Sequence, residues 1–442
     1  MLFEIFTTED SAYKGPREGE TALMKFWKYF RFASPSFALA MGIPLFFIGG
    51  DTIFYYAAFL GALALFGDYF FGEDTVEWAG AYKYPQLFPY MEVAAVLSNS
   101  LLVILFAWQL GFPEKDLFGI AAIVQAVTGA DLGTAFAANS TLSYLGGFGL
   151  AVAGGTLNGV VLGHNMTHRT FEPKSVWAGR IGEAFSLFTY FSVRHPYGHH
   201  NLIGTPADPS WARRGESFYH FRMRSVPGQY KMTWDIEKQR LEKFGLPAFH
   251  YSNQALQGWA IEALVLGMFF YTGGILGVLA MVLIGLIAHT GLELANYIEH
   301  QGLCRVPTEP FQPRHAWDDA HRMTYWAVWA ISRHSHHHHD AQVEEPELNF
   351  YGDTDQAMKT PYGYLVSFLF VLFPNVWNNI MIPRYLEWDE NYATPGEREL
   401  AAYENINSGL PELIEAGYKY LNEHGLEYTA SGLEKKAKAK AA

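Results

Sequence analysis

Long stretches of this chain lack the polar face that an amphipathic helix of a soluble protein carries at helical period. Residues 33–50 and 52–71 are nearly uncharged, broken only by Asp68 in the second. Residues 92–111 carry no charge after Glu92, and residues 141–163 carry none. The longest run, 257–298, has only Glu262, His289 and Glu293 as ionisable groups. A membrane-spanning helix needs about 20 predominantly apolar residues, so this last run has room for two. The pattern predicts an all-α integral membrane protein, a six-transmembrane helix bundle with spans near 32–50, 52–71, 92–111, 141–163, 257–275 and 278–298.

Parity decides what to do with residues 117–140, which are apolar, rich in Gly and Ala, and interrupted by Asp131. The polar region from Arg169 to Lys243 holds 12 Lys and Arg, the basic signature of a cytoplasmic side. The N-terminal segment 1–31, with Lys14, Arg17, Lys25, Lys28 and Arg31, belongs on that same side. Its interleaved acidic residues do not read as a cleavable signal peptide. An even number of crossings must separate two segments on one side, so residues 117–140 are expected to be a re-entrant or interfacial hairpin. Residues 362–381 are apolar but broken by Pro374 and Asn375, and are expected to dock on the surface as an amphipathic piece. Residues 401–442 are expected to form a cytoplasmic helix and a linker-like Lys/Ala tail.

Composition sharpens this picture. Half of the 442 residues are hydrophobic and 17% are charged, against about a quarter charged in soluble domains. A mean hydropathy of only +0.01 averages the apolar runs with polar loops. The net charge of −13 argues against nucleic-acid binding, which wants a basic face. The single cysteine, Cys304, excludes a disulfide framework and any cysteine-based zinc or iron–sulfur site. No solenoid-type repeat and no flavin or nicotinamide fingerprint is visible.

Histidine is the outlier, because 11 of the 17 fall in four short segments. His164 and His168 stand four apart just beyond the fourth expected span, on one face of a helix that continues out of it. His195, His199 and His200 follow in Arg194-His-Pro-Tyr-Gly-His-His-Asn201. His300 ends the sixth span, and His334, His337 and His338 lie in Arg333-His-Ser-His-His-His-His-Asp340. That makes nine imidazoles at the same ends of membrane helices, too many for one metal ion and enough for two. Without thiolates, an imidazole set suits Zn, Cu, Fe or Ni.

These clusters resemble the histidine boxes of the membrane fatty-acid desaturase/hydroxylase superfamily. In detail they are similar to its alkane 1-monooxygenase and xylene monooxygenase hydroxylase branch, which shows H-E-x-x-H, H-x-x-x-H-H, N-Y-x-E-H-Y-G and H-S-D-H-H. The counterparts here are His164–His168, His195–His200, Asn296–Gly302 and His334–His338. Flanking matches include Gly72-Glu73-Asp74, Thr205-Pro206-Ala207-Asp208-Pro209, Gly215-Glu216-Ser217 and His315-Ala316-Trp317, with Asp389 to Leu400 similar to the xylene-type relatives. Four positions depart from the pattern: Asn165 for Glu, Arg194 for an acidic residue, Gln301 for Tyr and His336 for Asp.

The resemblance implies a membrane di-iron hydroxylase domain over residues 32–400. Its two non-haem irons would be held by the nine histidines, with O2 as co-substrate. It implies insertion of oxygen into an unactivated C–H bond, such as the terminal methyl of an alkane, with a rubredoxin-type or iron–sulfur reductase as electron donor. Arg213, Arg214, Arg222 and Arg224 are candidates to receive that acidic carrier, or to anchor lipid headgroups. Imidazole ligands need partners for their outer nitrogens, and Glu293, Glu299, Asp318, Asp340, Asp208 and Asn165 are the candidates. Leu60 and Ala64 fall where the resemblance puts the substrate channel. The expected location is a bacterial inner membrane, with both termini and the histidine clusters cytoplasmic. Two other readings compete. One keeps the scaffold and makes it a fatty-acyl desaturase or oxidative decarboxylase; the other is a metal transporter, whose ligands belong near the bilayer midplane rather than at helix ends.

Overall fold

In a computed structural model the chain is described over residues 21–129 and 131–428. The sequence expectations for residues 1–20, including Lys14 and Arg17, and for the Lys/Ala tail beyond 428 fall outside these residues. Among the described residues the regular elements are all helices, and strand pairing is limited to isolated bridges such as Glu73 with His321 and Asp318 with Lys359. Five helices are long and apolar enough to cross a membrane, or up to six if one bent pair counts as a single span. Their outward faces carry large apolar side chains, among them Phe59, Phe66, Leu264, Phe270, Leu279 and Leu286, where a soluble bundle would present polar residues. This is an all-α integral membrane protein.

The first helix begins at Ala22, not near residue 32, and runs to Ala40 before a bend at Gly42-Ile43-Pro44 and a short helix Leu45–Ile48. Lys25, Lys28 and Arg31 therefore belong to the helix rather than to a preceding segment. They were expected in a cytoplasmic segment ahead of the first span, yet Lys28 and Arg31 are buried with partners. Lys28 Nζ donates to the Ala81 carbonyl at 2.8 Å, and Arg31 pairs with Asp74 at 3.2 Å and donates to the Tyr82 hydroxyl at 2.7 Å. A buried charge survives when it is paired and hydrogen-bonded, and these partners come from the loop after the second long helix, Thr52–Phe71.

The stretch expected as two spans within 257–298 lies in two helical arms of Gln254–His300, joined where the backbone leaves helical geometry at Gly274. That residue has φ 60°, ψ −151°, a conformation essentially restricted to glycine. A methyl on Gly277 would lie 2.5 Å from the carbonyl oxygen of Phe269. Eight residues of straight helix span about 12 Å, so the chain doubles back and the two arms leave and return. At that end the arms press against the helix Leu87–Gly111, where a methyl on Gly273 would sit 2.3 Å from the Ala107 carbonyl oxygen. Small residues at a helix crossing are what let membrane helices approach this closely.

Residues 117–140 hold two short helices, Ile120–Thr128 and Leu132–Ala137. Asp131 caps the second by accepting from the Thr134 amide at 3.0 Å, and Phe136 packs edge-on against Trp108. The apolar piece expected over 362–381 is a helix pair, Tyr364–Val371 and Pro374–Asn391, bent by 119° at its break. After it come Pro395–Asn407 and Pro411–Glu423. The first of these is pinned by Glu397, which accepts from His315 Nε2 at 2.6 Å and from both Arg314 Nε and Nη2 at 2.9 Å. Burial alone would raise the Glu397 carboxyl, but the hydrogen bonds from His315 and Arg314 outweigh it and hold the group at about 2.

Every described loop that carries a histidine cluster lies at one end of the bundle. The first helix's Lys28 and Arg31 lie there too, through Ala81 and Asp74. The other end gathers residues 41–51, the 112–140 segment and the turn at Gly274, tied by Gly50 to Asn139 and by the Trp108 indole to the Lys115 carbonyl.

Candidate metal centre

Four separate elements deliver the nine imidazoles. The helix Thr141–Thr156 passes into a π-helical segment, Leu157–Gly163, and then into His164–His168. A second π-helical turn covers His195–His199, with His200 opening the next short helix. A π turn bonds i to i+5, which aligns His195 with His200 and brings their Nε2 atoms to 3.1 Å. His300 ends the helix that returns from Gly274. His334, His337 and His338 point inward from the helix His334–His339. The turn before that helix holds Trp329 and Ala330 in left-handed backbone (φ 51° and 67°), a strain offset by burial of Trp329 and a hydrogen bond from the Ala330 amide to the Tyr325 carbonyl.

The rings gather into two quartets. His164, His168, His195 and His337 form one; His199, His300, His334 and His338 form the other; His200 meets His337 and His338, one from each. Nitrogens face each other within each quartet, with His164 Nε2 at 2.8 Å from His195 Nε2, and His334 Nε2 at 3.0 Å from both His300 Nε2 and His338 Nε2. Nitrogens converging this closely are what rings sharing a metal ion present, since metal–imidazole bonds are only about 2.0–2.1 Å long.

Hydrogen bonding of the outer nitrogens tests whether a cation fits. His199 Nδ1 meets Asp208 Oδ2 at 2.7 Å, and Asp208 Oδ1 accepts from the Ser210 amide at 3.0 Å. His164 Nδ1 meets Asn165 Oδ1 at 3.2 Å, and His334 Nδ1 meets the Ile331 carbonyl at 3.3 Å. Each of these acceptors fixes a proton on Nδ1 of a neutral ring and leaves the Nε2 lone pair facing inward. For His199 that Nε2 is buried with no hydrogen-bond partner, as are His168 Nε2 and His337 Nε2. Burial holds His195, His199, His200, His337 and His338 well below the usual imidazole range, and His334 at about 3. Neutral rings with converging lone pairs repel one another unless a cation lies between them, so the donor set fits metal ions.

The remaining sequence candidates divide. Glu299 accepts from the Tyr364 hydroxyl at 2.7 Å, with its other oxygen 3.5 Å from His334 Nε2. Asp318 accepts from the amides of Ser335 and Tyr351, each at 2.7 Å, and so anchors the start of the His334–His339 helix. Burial raises the Asp318 carboxyl to about 6. Glu293 is buried but turned toward Gln229 at 2.6 Å and Asn296 at 3.2 Å rather than toward a ring of the cluster. Asp340 is exposed and accepts from the Gln342 amide at 3.2 Å. Leu60 and Ala64 are half-buried on Thr52–Phe71, Leu60 against the apolar core that contains Phe46, Leu105 and Ile53.

The departing positions have structural work of their own. His336 turns out of the cluster, packs at a tilt of 50° against Tyr351 and accepts from the Asn349 amide at 2.7 Å. Gln301 donates to the Tyr297 hydroxyl and accepts from the Trp377 indole, both at 2.6 Å. Arg194 is buried and donates to the Ser210 hydroxyl. Of the arginines expected on a docking face, Arg214 cannot meet a partner: it is buried in a two-pronged pair with Asp389, both contacts at 2.7 Å. Arg224 is tied to Glu216 at 2.7 Å.

The sequence reading missed the network beside His164. Asn165 Nδ2 donates to Glu92 Oε1 at 3.4 Å, and Glu92 Oε2 receives Arg169 Nη1 at 2.5 Å. Arg169 also pairs with Glu344 at 2.6 Å, and Glu345 stands 3.9 Å away. The signal was present, since a carboxylate within a span is functional by default, but Glu92 sits at a span's edge where a helix end is the ordinary explanation. A cavity of about 150 Å³ opens here, bordered by Asn165, His168, Arg169, Glu344 and Glu345.

Comparison with known proteins bears on this arrangement. The family model described as fatty acid desaturase matches residues 140–388. Alkane 1-monooxygenase 2 of Pseudomonas aeruginosa is 31% identical over 266 residues, covering 58% of this chain and 70% of that protein. Alkane 1-monooxygenase 1 of Alcanivorax borkumensis is 30% identical over 262 residues, 57% of this chain and 64% of that protein. The xylene/toluene monooxygenase hydroxylase component of Pseudomonas putida is 31% identical over 220 residues, 50% of this chain and 58% of that protein. The matched region thus spans about two thirds of the length of the two alkane monooxygenases, and less of the xylene/toluene component.

Proposed function

The chain belongs to the fatty acid desaturase family, and on that premise we propose that it is a membrane di-iron monooxygenase that hydroxylates the terminal methyl of an alkane or similar hydrocarbon. The observation that carries this reading is the pair of buried all-histidine quartets joined by His200, together with relatives named alkane 1-monooxygenase. His164, His168, His195 and His337 would hold one iron and His199, His300, His334 and His338 the other, with His200 completing the set of nine. Bound there, the irons supply O2 activation and insertion of one oxygen atom into a C–H bond, using two electrons from outside.

The protein's part is positioning and exclusion. Asp208, Asn165 and the Ile331 carbonyl hold three imidazoles in the tautomer that presents Nε2 inward. Glu299 and Asp318 fix the neighbouring backbone and rings. The apolar substrate would enter from the bilayer past Leu60 and Ala64 on the Thr52–Phe71 helix. Electrons would come from a rubredoxin-type or iron–sulfur reductase docking where the histidines emerge. The membrane is the bacterial inner membrane, with the histidine end and both termini in the cytoplasm.

Purified protein reconstituted with iron, an electron donor, O2 and a panel of alkane, alkylbenzene and free fatty acid tests this directly. A primary alcohol from the alkane, with oxygen from labelled O2, is the expected product. An alkene from the fatty acid and no alcohol from the hydrocarbons would overturn it in favour of desaturation or decarboxylation.

A further inference from the structure

The cavity beside His168 connects the cluster with a group of carboxyls, of which Glu92 supports Asn165 while Glu344 and Glu345 reach no residue that orients a histidine other than through Arg169. Its walls include Asn165 and His168 on one side and Glu344 and Glu345 on the other. Arg169 reaches three carboxylates at once: Glu92 at 2.5 Å, Glu344 at 2.6 Å and Glu345 at 3.9 Å. One positive charge facing three carboxylates cannot neutralise them all, and like charges this close disfavour joint ionisation. Glu92 is 1% exposed and Glu345 4%, whereas Glu344 is 37% exposed and meets solvent. The group thus runs from water inward, and a cavity of about 150 Å³ has room for several waters at ~30 Å³ each.

We propose that this cavity is the route by which protons pass from solvent to the metal centre, with Glu345 as the residue that carries them to the water beside His168. The proposal rests on the hydroxylase reading, whose balance is R–H + O2 + 2 H⁺ + 2 e⁻ → R–OH + H2O. The electrons come from the external one-electron donor, and the two protons must enter a buried site from bulk water. The Glu345 carboxyl gives its proton to cavity water, becomes a carboxylate, and is reprotonated from solvent by way of Glu344. Arg169 stays charged and holds the carboxyls in place. Burial raises the Glu345 carboxyl to about 8 against the pull of Arg169, with Glu344 and Glu92 pushing it further up, so it holds a proton near neutral pH and can release it.

The test uses the full-length, iron-loaded protein in detergent or lipid discs, with Glu345→Gln, Glu345→Asp and the solvent-facing Glu344→Gln. Infrared spectra of the wild type should show a deuterium-sensitive carboxylic-acid band that fades as pH rises through about 8. Glu345→Gln should lose that band. In the same variant O2 consumption should slow by about tenfold or more with a larger solvent isotope effect, while iron content stays at the wild-type level. Glu345→Asp should restore part of the rate, and Glu344→Gln should slow it less. A Glu345→Gln protein that keeps the band, or keeps the wild-type rate and isotope effect, overturns the proposal. Failure of the wild type to make alcohol would instead refute the hydroxylase reading, and the infrared band would still decide whether Glu345 holds the proton.

Discussion

Each imidazole of the centre depends on what its other nitrogen touches, and His199 shows this most clearly. Its Nδ1 lies 2.7 Å from Asp208, whose second oxygen is held by the Ser210 amide. Burial raises the Asp208 carboxyl to about 6 against the field of Arg194, so it remains mostly ionised at pH 7 and a strong acceptor. Asp208→Asn keeps the size and removes the charge. The expected result is a loss of metal affinity on the order of 10–100-fold, read as earlier release of iron in a chelator titration, with Asp208→Ala losing more. An unchanged chelator midpoint in both variants would remove Asp208 from any part in holding the ring. At this scale the sequence was informative where chemistry repeats. The nine histidines and Asp208 stand in recognisable spacings, whereas Glu92 and Tyr364 reach the cluster from 73 residues before Asn165 and 65 beyond Glu299. Such contacts leave no local spacing to read.

Helices were legible wherever an apolar run lasted long enough to cross a bilayer, because hydrophobicity alone sets that signal. Their ends were less so. The first helix starts ten residues earlier than its apolar run because Asp74, Tyr82 and the Ala81 carbonyl, all distant in sequence, satisfy Lys28 and Arg31. The π-helical segments before His164 and through His195–His199 were equally hidden, since spacing in sequence cannot distinguish a bond to i+4 from one to i+5. The turn at Gly274 leaves a clearer trace in its glycines. Gly111 and Gly273 meet so closely that a methyl on Gly111 would lie 2.1 Å from the Gly273 carbonyl oxygen, and one on Gly273 would lie 2.3 Å from that of Ala107. Both obstacles are backbone and cannot swing aside. Gly273→Ala should therefore destabilise the helix pair by about 1–3 kcal/mol, seen as a lower midpoint of thermal unfolding in detergent. Iron bound per folded molecule should not change, because this crossing lies at the end of the bundle away from the histidines. A midpoint equal to the wild type would mean that the helices separate there without cost.

The whole molecule has two chemically different ends, and their charge sets how it should sit in a membrane. The end that holds the histidines also carries Arg169 to Lys243, with its 12 Lys and Arg, and the first helix's Lys28. The opposite end, formed by residues 41–51, the 112–140 segment and the turn at Gly274, has Lys115 as its one basic residue, flanked by Glu114 and Asp116. Lys and Arg near span ends are retained on the cytoplasmic side, so the histidine end is expected to face the cytoplasm. Labelling with a membrane-impermeant maleimide can check this, because the chain's single cysteine, Cys304, is buried and contributes little background. Phe171, 87% exposed just after Arg169, marks the histidine end, and the exposed Glu114 marks the other. In cells with the outer membrane permeabilised, Glu114→Cys should be labelled and Phe171→Cys protected until the inner membrane is opened. Glu114 lies at the far end and Phe171 borders the His168 cavity without supplying a ligand, so both variants should retain iron, and that retention shows the labelled molecules are folded. Labelling of Phe171→Cys in sealed cells, with Glu114→Cys protected, would invert the orientation and move the electron donor's docking face to the opposite compartment.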